Sequence, residues 1–211
     1  MTNVLVLGAS GQIAHWVVTM LAQRQGMHLT LFVRDLRKLK GPPKGSKVIR
    51  GDVLNRSELD AAVAGQNIVY ANLTGADIDE QAKSLVASME TAGVKRLVFV
   101  LALGIYDEVP GKFGEWNKKT IGDDLKPFRR AGDAIEASGL DFTLIRPAWL
   151  TDNDEVDYEL TARNEPFKGT VVSRKSVADL ITKVIATPTL HVRANLGVNK
   201  PNSDGDKPYF M

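Results

Sequence analysis

The chain has 211 residues, no cysteine, and 27 Lys+Arg against 25 Asp+Glu. That length suits one α/β domain with a core of ordinary size, and 44% apolar with 25% charged residues excludes wholesale disorder. A formal charge of +2 is too small to drive binding to nucleic acid or an anionic membrane, and the lack of thiols excludes disulfides, thiolate zinc sites and cysteine nucleophiles.

Short β-rich apolar runs alternate with longer helical patterns. Val4-Leu5-Val6-Leu7 reads as a strand buried on both faces, followed by a glycine turn and a helix over 12–25. Residues 29–33 and 47–50 are the second and third strands. Ser57-Glu58-Leu59-Asp60 resembles a helix cap with an acid in the first turn, opening a short helix that stops at Gly65. A fourth strand covers 67–72, and a helix over 79–92 is closed by Gly93. A fifth strand covers 95–101; a Gly- and Lys-containing loop with Lys112, Lys118 and Lys119 follows, then a helix over 126–138. The sixth strand, 142–145, is stopped by Arg146-Pro147.

Beyond Pro147 the rhythm breaks. An acidic irregular stretch covers 152–160, a short strand 170–172, a helix 176–186 and a last strand 194–198. The alternation predicts an α/β fold: a single Rossmann-type, doubly wound, mostly parallel sheet with helices on both faces. Its domain spans 1–198, with substrate-side elements within about 103–125 and 148–172, and 199–211 forms a loosely ordered C-terminal tail. The first apolar run is too short for a signal segment, and the longest, 97–106, is about half a membrane span, so a cytoplasmic protein is expected. His15, His28 and His191 lie far apart, and the acids Asp152, Asp154, Glu155, Asp157 and Glu159 lack the glycine turn of an ion loop. No metal is expected.

Gly8-Ala9-Ser10-Gly11-Gln12-Ile13-Ala14 follows the first strand and opens the first helix. Gly8 permits a tight turn, Gly11 lets backbone N–H groups approach a pyrophosphate, and Ala14 lets the helix pack on the strand. Gly8, Ser10, Gly11, Gln12 and Ile13 therefore read as a phosphate cradle at the positive end of a helix dipole, the alternative being a merely tight strand–helix turn. The residue that reads the adenosine ribose lies about 20 positions on. Arg34 stands there, suited to pair with a 2′-phosphate and so to prefer NADP(H) over NAD(H), unless it simply points to water; Asp35 follows at once.

These residues resemble the short-chain dehydrogenase/reductase superfamily, in its atypical NmrA-like, NAD(P)H-binding branch. Gly51-Asp52-Val53-Leu54 is similar to the segment in which an Asp carboxylate and the next N–H read adenine, though Asp52 also suits a turn. Asn72-Leu73-Thr74-Gly75 resembles the stretch that runs along the ribose, and the segment 138–147 resembles the branch's sixth strand, whose Pro147 lies beside the nicotinamide. The resemblance implies cofactor contacts from Asp52, Val53, Asn72, Leu73, Thr74 and Pro147.

The superfamily's Ser-Tyr-Lys triad is missing. Val100-Leu101-Ala102-Leu103-Gly104 offers no Ser, and none of Tyr70, Tyr106, Tyr158 or Tyr209 has a Lys four residues later. Hydride transfer to a quinone or flavin draws its proton from water and does not need the triad. Tyr106 is the best remaining proton donor, or else a loop tyrosine packed over the sheet edge. Trp149 and Tyr158 are candidates for a substrate pocket, with Trp116 as a second wall, though each equally suits the core. Two functions remain open: an NADPH-dependent oxidoreductase acting on a small planar acceptor, and a non-catalytic NADP-binding sensor presenting a surface to a protein partner. A sugar-nucleotide epimerase is a weaker third. The partner is then a small-molecule substrate or a protein, not nucleic acid or membrane, and the protein a monomer or homodimer.

Overall fold

A computed structural model describes residues 1–211. The strands β1 (Thr2–Leu7), β2 (Met27–Val33), β3 (Lys47–Arg50), β4 (Ile68–Ala71), β5 (Arg96–Val100) and β6 (Asp141–Pro147) follow the expected rhythm. Between them run α1 (Gln12–Ala22), α2 (Arg56–Val63), α3 (Ile78–Ala92), α4 (Gly111–Ile121) and α5 (Leu125–Glu136). The last part holds β7 (Trp149–Thr151), β8 (Glu159–Thr161), β9 (Val171–Ser173), α6 (Arg174–Ala186) and β10 (Ala194–Asn199).

The main sheet has the order β3-β2-β1-β4-β5-β6-β10-β8, parallel throughout except for β8, which runs antiparallel to β10. A separate parallel pair joins β7 to β9. Strand alternation sends side chains to two cores: Val4 and Val6 pack with α1 and α6, while Leu5 and Leu7 pack with α2 and α3. The chain reverses direction across the sheet between β1 and β4, which opens a crevice at their carboxyl ends.

Four local expectations change. Asn55, not Ser57, caps α2, its side chain accepting from Glu58 N–H. The loop expected after β5 contains α4, because Phe113 and Asn117, four apart, are both buried. Its glycines hide that pattern, yet Gly114 is required: a Cβ there would overlap the Val109 carbonyl. β6 runs on through Arg146 and ends at Pro147, two residues past the expected end at Ile145, because Pro147 pairs with Val198 of the late strand β10. Asn199 belongs to β10, and the segment after it is tied down at two points. Lys200 N–H donates to Val171 O at 2.7 Å and Thr170 N–H to Ser203 O at 3.0 Å.

Candidate functional site

A groove of about 460 Å³ crosses the carboxyl ends of β1, β2, β4 and β5. Gly8, Ser10, Gly11, Gln12, Ile13, Arg34, Asp52, Val53, Asn72, Leu73, Thr74 and Pro147 all line it. The structure therefore gathers every cofactor residue expected from the sequence into one place.

Its centre is the β1–α1 turn. Gly8 sits at φ 69°, and a Cβ on it would overlap the Asn72 carbonyl. A Cβ on Gly11 would overlap the Asn72 side-chain amide. No side chain caps α1, and its first amide bonded back to the turn is His15 N–H, to Gly11 O at 2.9 Å. The N–H groups of Gln12, Ile13 and Ala14 thus stay open at the positive end of the helix, where a pyrophosphate fits.

At the outer end, Arg34 is exposed and makes no ion pair, and Lys38 joins it on the lining. The neighbouring acid is occupied: Arg37 donates from Nε to Asp35 Oδ1 and from a terminal nitrogen to Oδ2, each at 2.9 Å. The Arg37 guanidinium holds the Asp35 carboxyl below its ordinary range. Asp52 takes the turn role considered for it and also faces the groove. Its Oδ1 closes a turn by accepting from Leu54 N–H at 2.9 Å, while the residue lines the groove and Oδ2 stays without a protein partner. Gln81 pins the segment after β4, donating to Thr74 O at 3.2 Å.

The inner end is walled by Val100, Leu101, Phe128, Pro147 and Leu150. Arg174, the first residue of α6, also reaches the groove and is held by Asp152 at 2.8 Å. Lys38, Phe128, Leu150 and Arg174 went unnoticed in the sequence. Arg174 had a signal: it follows the Ser173 cap and opens a helix toward the same sheet edge.

Tyr106, Trp149 and Tyr158 are not brought to the groove. The Tyr106 hydroxyl accepts from Asn195 Nδ2 at 3.0 Å, and its ring lies beneath the Arg163 and Arg129 guanidiniums, 4.0 and 4.6 Å from the centroid. Burial, aided by the Glu136 carboxylate, pushes its phenol up. Trp149 donates from Nε1 to Asn117 Oδ1 at 2.9 Å and packs on Trp116, 4.9 Å between rings. Tyr158 faces α6, its hydroxyl 3.0 Å from Asp179 and 3.1 Å from Lys183 Nζ. That is a Tyr–Lys pair, but built between the residue preceding β8 and α6, outside the groove. The acidic run of 152–159 is answered by cations, Asp152 by Arg174, Asp154 by Lys175, Glu155 and Asp157 by Lys200, and Glu159 by Lys168. No group of three or more metal-ligating side chains is assembled anywhere in the chain. No helix is long and apolar enough to cross a membrane.

The family described as NAD(P)H-binding matches residues 8–188. A Rossmann-fold NAD(P)-binding family protein from Shigella flexneri is 57% identical, each chain covered in full, with a TM-score of 0.87. A short-chain dehydrogenase/reductase from Veillonella parvula DSM 2008, solved in complex with NADP, is 27% identical, covers 99% of both chains and reaches a TM-score of 0.92. An uncharacterized sugar epimerase of Bacillus subtilis (strain 168) is 27% identical across 83% of this chain and 79% of its own length. With the glycine turn, the open helix terminus and the switch-point groove in place, the chain belongs to the NAD(P)H-binding family, within the atypical short-chain dehydrogenase/reductases.

Proposed function

We propose that this protein is an NADP(H)-preferring oxidoreductase that passes a hydride to a small planar acceptor. The observation that carries the reading is the inner end of the groove, where five apolar side chains stand and neither a Tyr nor a Lys reaches. Bound NADPH would supply a hydride there. Pro147 and Leu150 would fix one face of its ring, while Val100, Leu101 and Phe128 give that end an apolar lining and leave its mouth open to solvent. With no side-chain acid at hand, the acceptor takes its two electrons as the hydride and its proton from solvent. Quinones and flavins accept both in that way.

The preference for the phosphorylated nucleotide rests on the outer end. Arg34 and Lys38 have no protein partner, while Asp35, the acid that would read a free 2′-hydroxyl, is neutralised by Arg37. A guanidinium paired with a phosphate through two N–H groups is among the stronger charge-assisted contacts.

Thermal unfolding with NADP+, NADPH, NAD+ and NADH at equal concentration is the first test. A ligand at 100 times its Kd adds about 2.7 kcal/mol of stability, so the two phosphorylated forms should raise Tm clearly above the other two. NADPH oxidation is then followed against a panel of quinones and flavins. Absence of a Tyr–Lys pair at the groove also favours the sensor reading. Stabilisation by NADP(H) with no turnover of any acceptor, and a clear difference between NADP+ and NADPH, would establish that reading instead.

A further inference from the structure

Beside the groove lies a larger basin of about 860 Å³, within the range of a ligand-binding cleft. Their linings have no residue in common but come from neighbouring stretches of the same elements. Leu101 lines the groove and Gly104, three residues on, lines the basin; in α5, Phe128 faces the groove and Leu125, a turn earlier, the basin. Leu150 of the groove follows Trp149, whose indole holds Asn117 of the basin. An acceptor reaching the inner end of the groove therefore has the basin as its neighbouring space.

Two features give the basin a chemical preference. Asn117 is 2% exposed, its Oδ1 is taken by Trp149, and its Nδ2 donates to no protein group. A buried amide donor left open beside a cavity is a ready hydrogen-bond site. Arg129 and Arg130 are both anchored through Nε, to Asp133 at 2.9 Å and to Asp79 at 2.6 Å. One terminal nitrogen of Arg129 donates to Ile105 O, while its other, and both of Arg130, donate to no protein group. Of the acids on the same wall, Asp107 pairs with Lys118 and Asp123 with Lys126, and neither these nor Glu115 bonds to Arg129 or Arg130. Fixed, unspent guanidinium nitrogens suit an oxyanion.

We infer that the basin holds the anionic end of the hydride acceptor, a carboxylate or phosphate on Arg129 and Arg130, with Asn117 Nδ2 donating to a polar edge of its ring system. This narrows the acceptor class to anion-bearing planar molecules, and it rests on the oxidoreductase reading above.

Matched pairs test it. Binding of FMN and of riboflavin, which differ by one phosphate, is measured by calorimetry on the NADP+-loaded protein. A neutral naphthoquinone and its carboxylate form a second pair, which separates phosphate from carboxylate. In one pair or the other, the anionic member should bind at least about tenfold more tightly, a difference of about 1.4 kcal/mol. Arg130→Gln keeps a donor for Asp79 and should shrink that preference below about threefold without altering the neutral member. Asn117→Asp keeps the acceptor for Trp149 but removes the donor to the ring edge and adds a negative charge, so it should weaken both members of each pair and the anionic one more. The NADP+ thermal shift, unchanged in both variants, shows that they fold. Equal affinity within both pairs, or a preference that survives Arg130→Gln together with Arg129→Gln, overturns the assignment. NADPH oxidation by neutral and anionic acceptors at equal kcat/KM removes the basin and keeps the oxidoreductase. Anion-selective binding without any NADPH oxidation keeps the basin and removes the oxidoreductase.

Discussion

Asn72 closes over both glycines of the β1–α1 turn, its carbonyl against Gly8 and its side-chain amide against Gly11. Gly11→Ala should therefore displace that amide into the space of the pyrophosphate and abolish the Tm increase caused by NADP+, while the free protein melts within a few degrees of the parent. Arg34→Gln removes a charge with no protein partner, so stability should not change. The ratio of NADPH to NADH affinity should fall at least about tenfold, roughly 1.4 kcal/mol, measured by titrating nucleotide fluorescence. Tyr106 is predicted to act in folding. Tyr106→Phe loses one hydrogen bond from Asn195 and should cost about 1 kcal/mol in urea unfolding, with NADPH affinity and turnover unchanged. A collapse in turnover at constant stability would return it to the chemistry.

The loop before α4 is tied to β6 by a buried pair between Arg146 and Glu108, whose side chains are 0% and 4% exposed. Glu108 also accepts from Gly104 N–H and Tyr106 N–H, each at 2.9 Å, so one carboxylate shapes the whole turn. Glu108→Gln leaves the guanidinium buried without its counter-charge and should cost about 3–5 kcal/mol, read from the urea midpoint. Helices α3 and α5 are joined by Asp79 and Arg130, and the Arg130 guanidinium lowers the Asp79 carboxyl below its ordinary range. A carboxyl lowered in the folded state stabilises the fold above its unfolded pKa, about 3.9, and that contribution is lost as pH falls through the folded value. Asp79→Asn should accordingly flatten the loss of stability below about pH 4 relative to the parent.

Legibility follows the range of the interactions. β1 to β5 were readable because each is an apolar run bounded by its own turn residues. α4 was not, since Gly111, Gly114 and three lysines conceal a helix set by the burial of Phe113 and Asn117. Likewise Arg146-Pro147 reads as a stop, because the partner that continues β6 arrives about fifty residues later.

For the whole molecule, the same division applies to the site. The residues at the ends of β1, β2 and β4 sit in turns that carry their own signature, and all of them fall on the groove. Phe128, Leu150 and Arg174 reach it from helices and a side sheet whose placement depends on tertiary packing. Saturating NADP+ should stabilise the protein as one cooperative unit, since the groove draws on segments from β1 to α6. Its urea transition should move without broadening. A biphasic transition would show that the nucleotide and substrate sides unfold separately.

The place of β10 also bears on how the chain is made. β8 has its main-sheet ladder with β10 alone, and β10 is the last strand in the sequence. While the polypeptide leaves the ribosome, β1 to β5 already possess their neighbours and β6 has β5, but the second neighbour of β6 and any main-sheet partner for the segment 148–172 are missing until residue 199 has emerged. Nascent chains stalled before that point should hold a nucleotide cradle and no finished substrate side, so the two halves of the groove are born at different moments of translation.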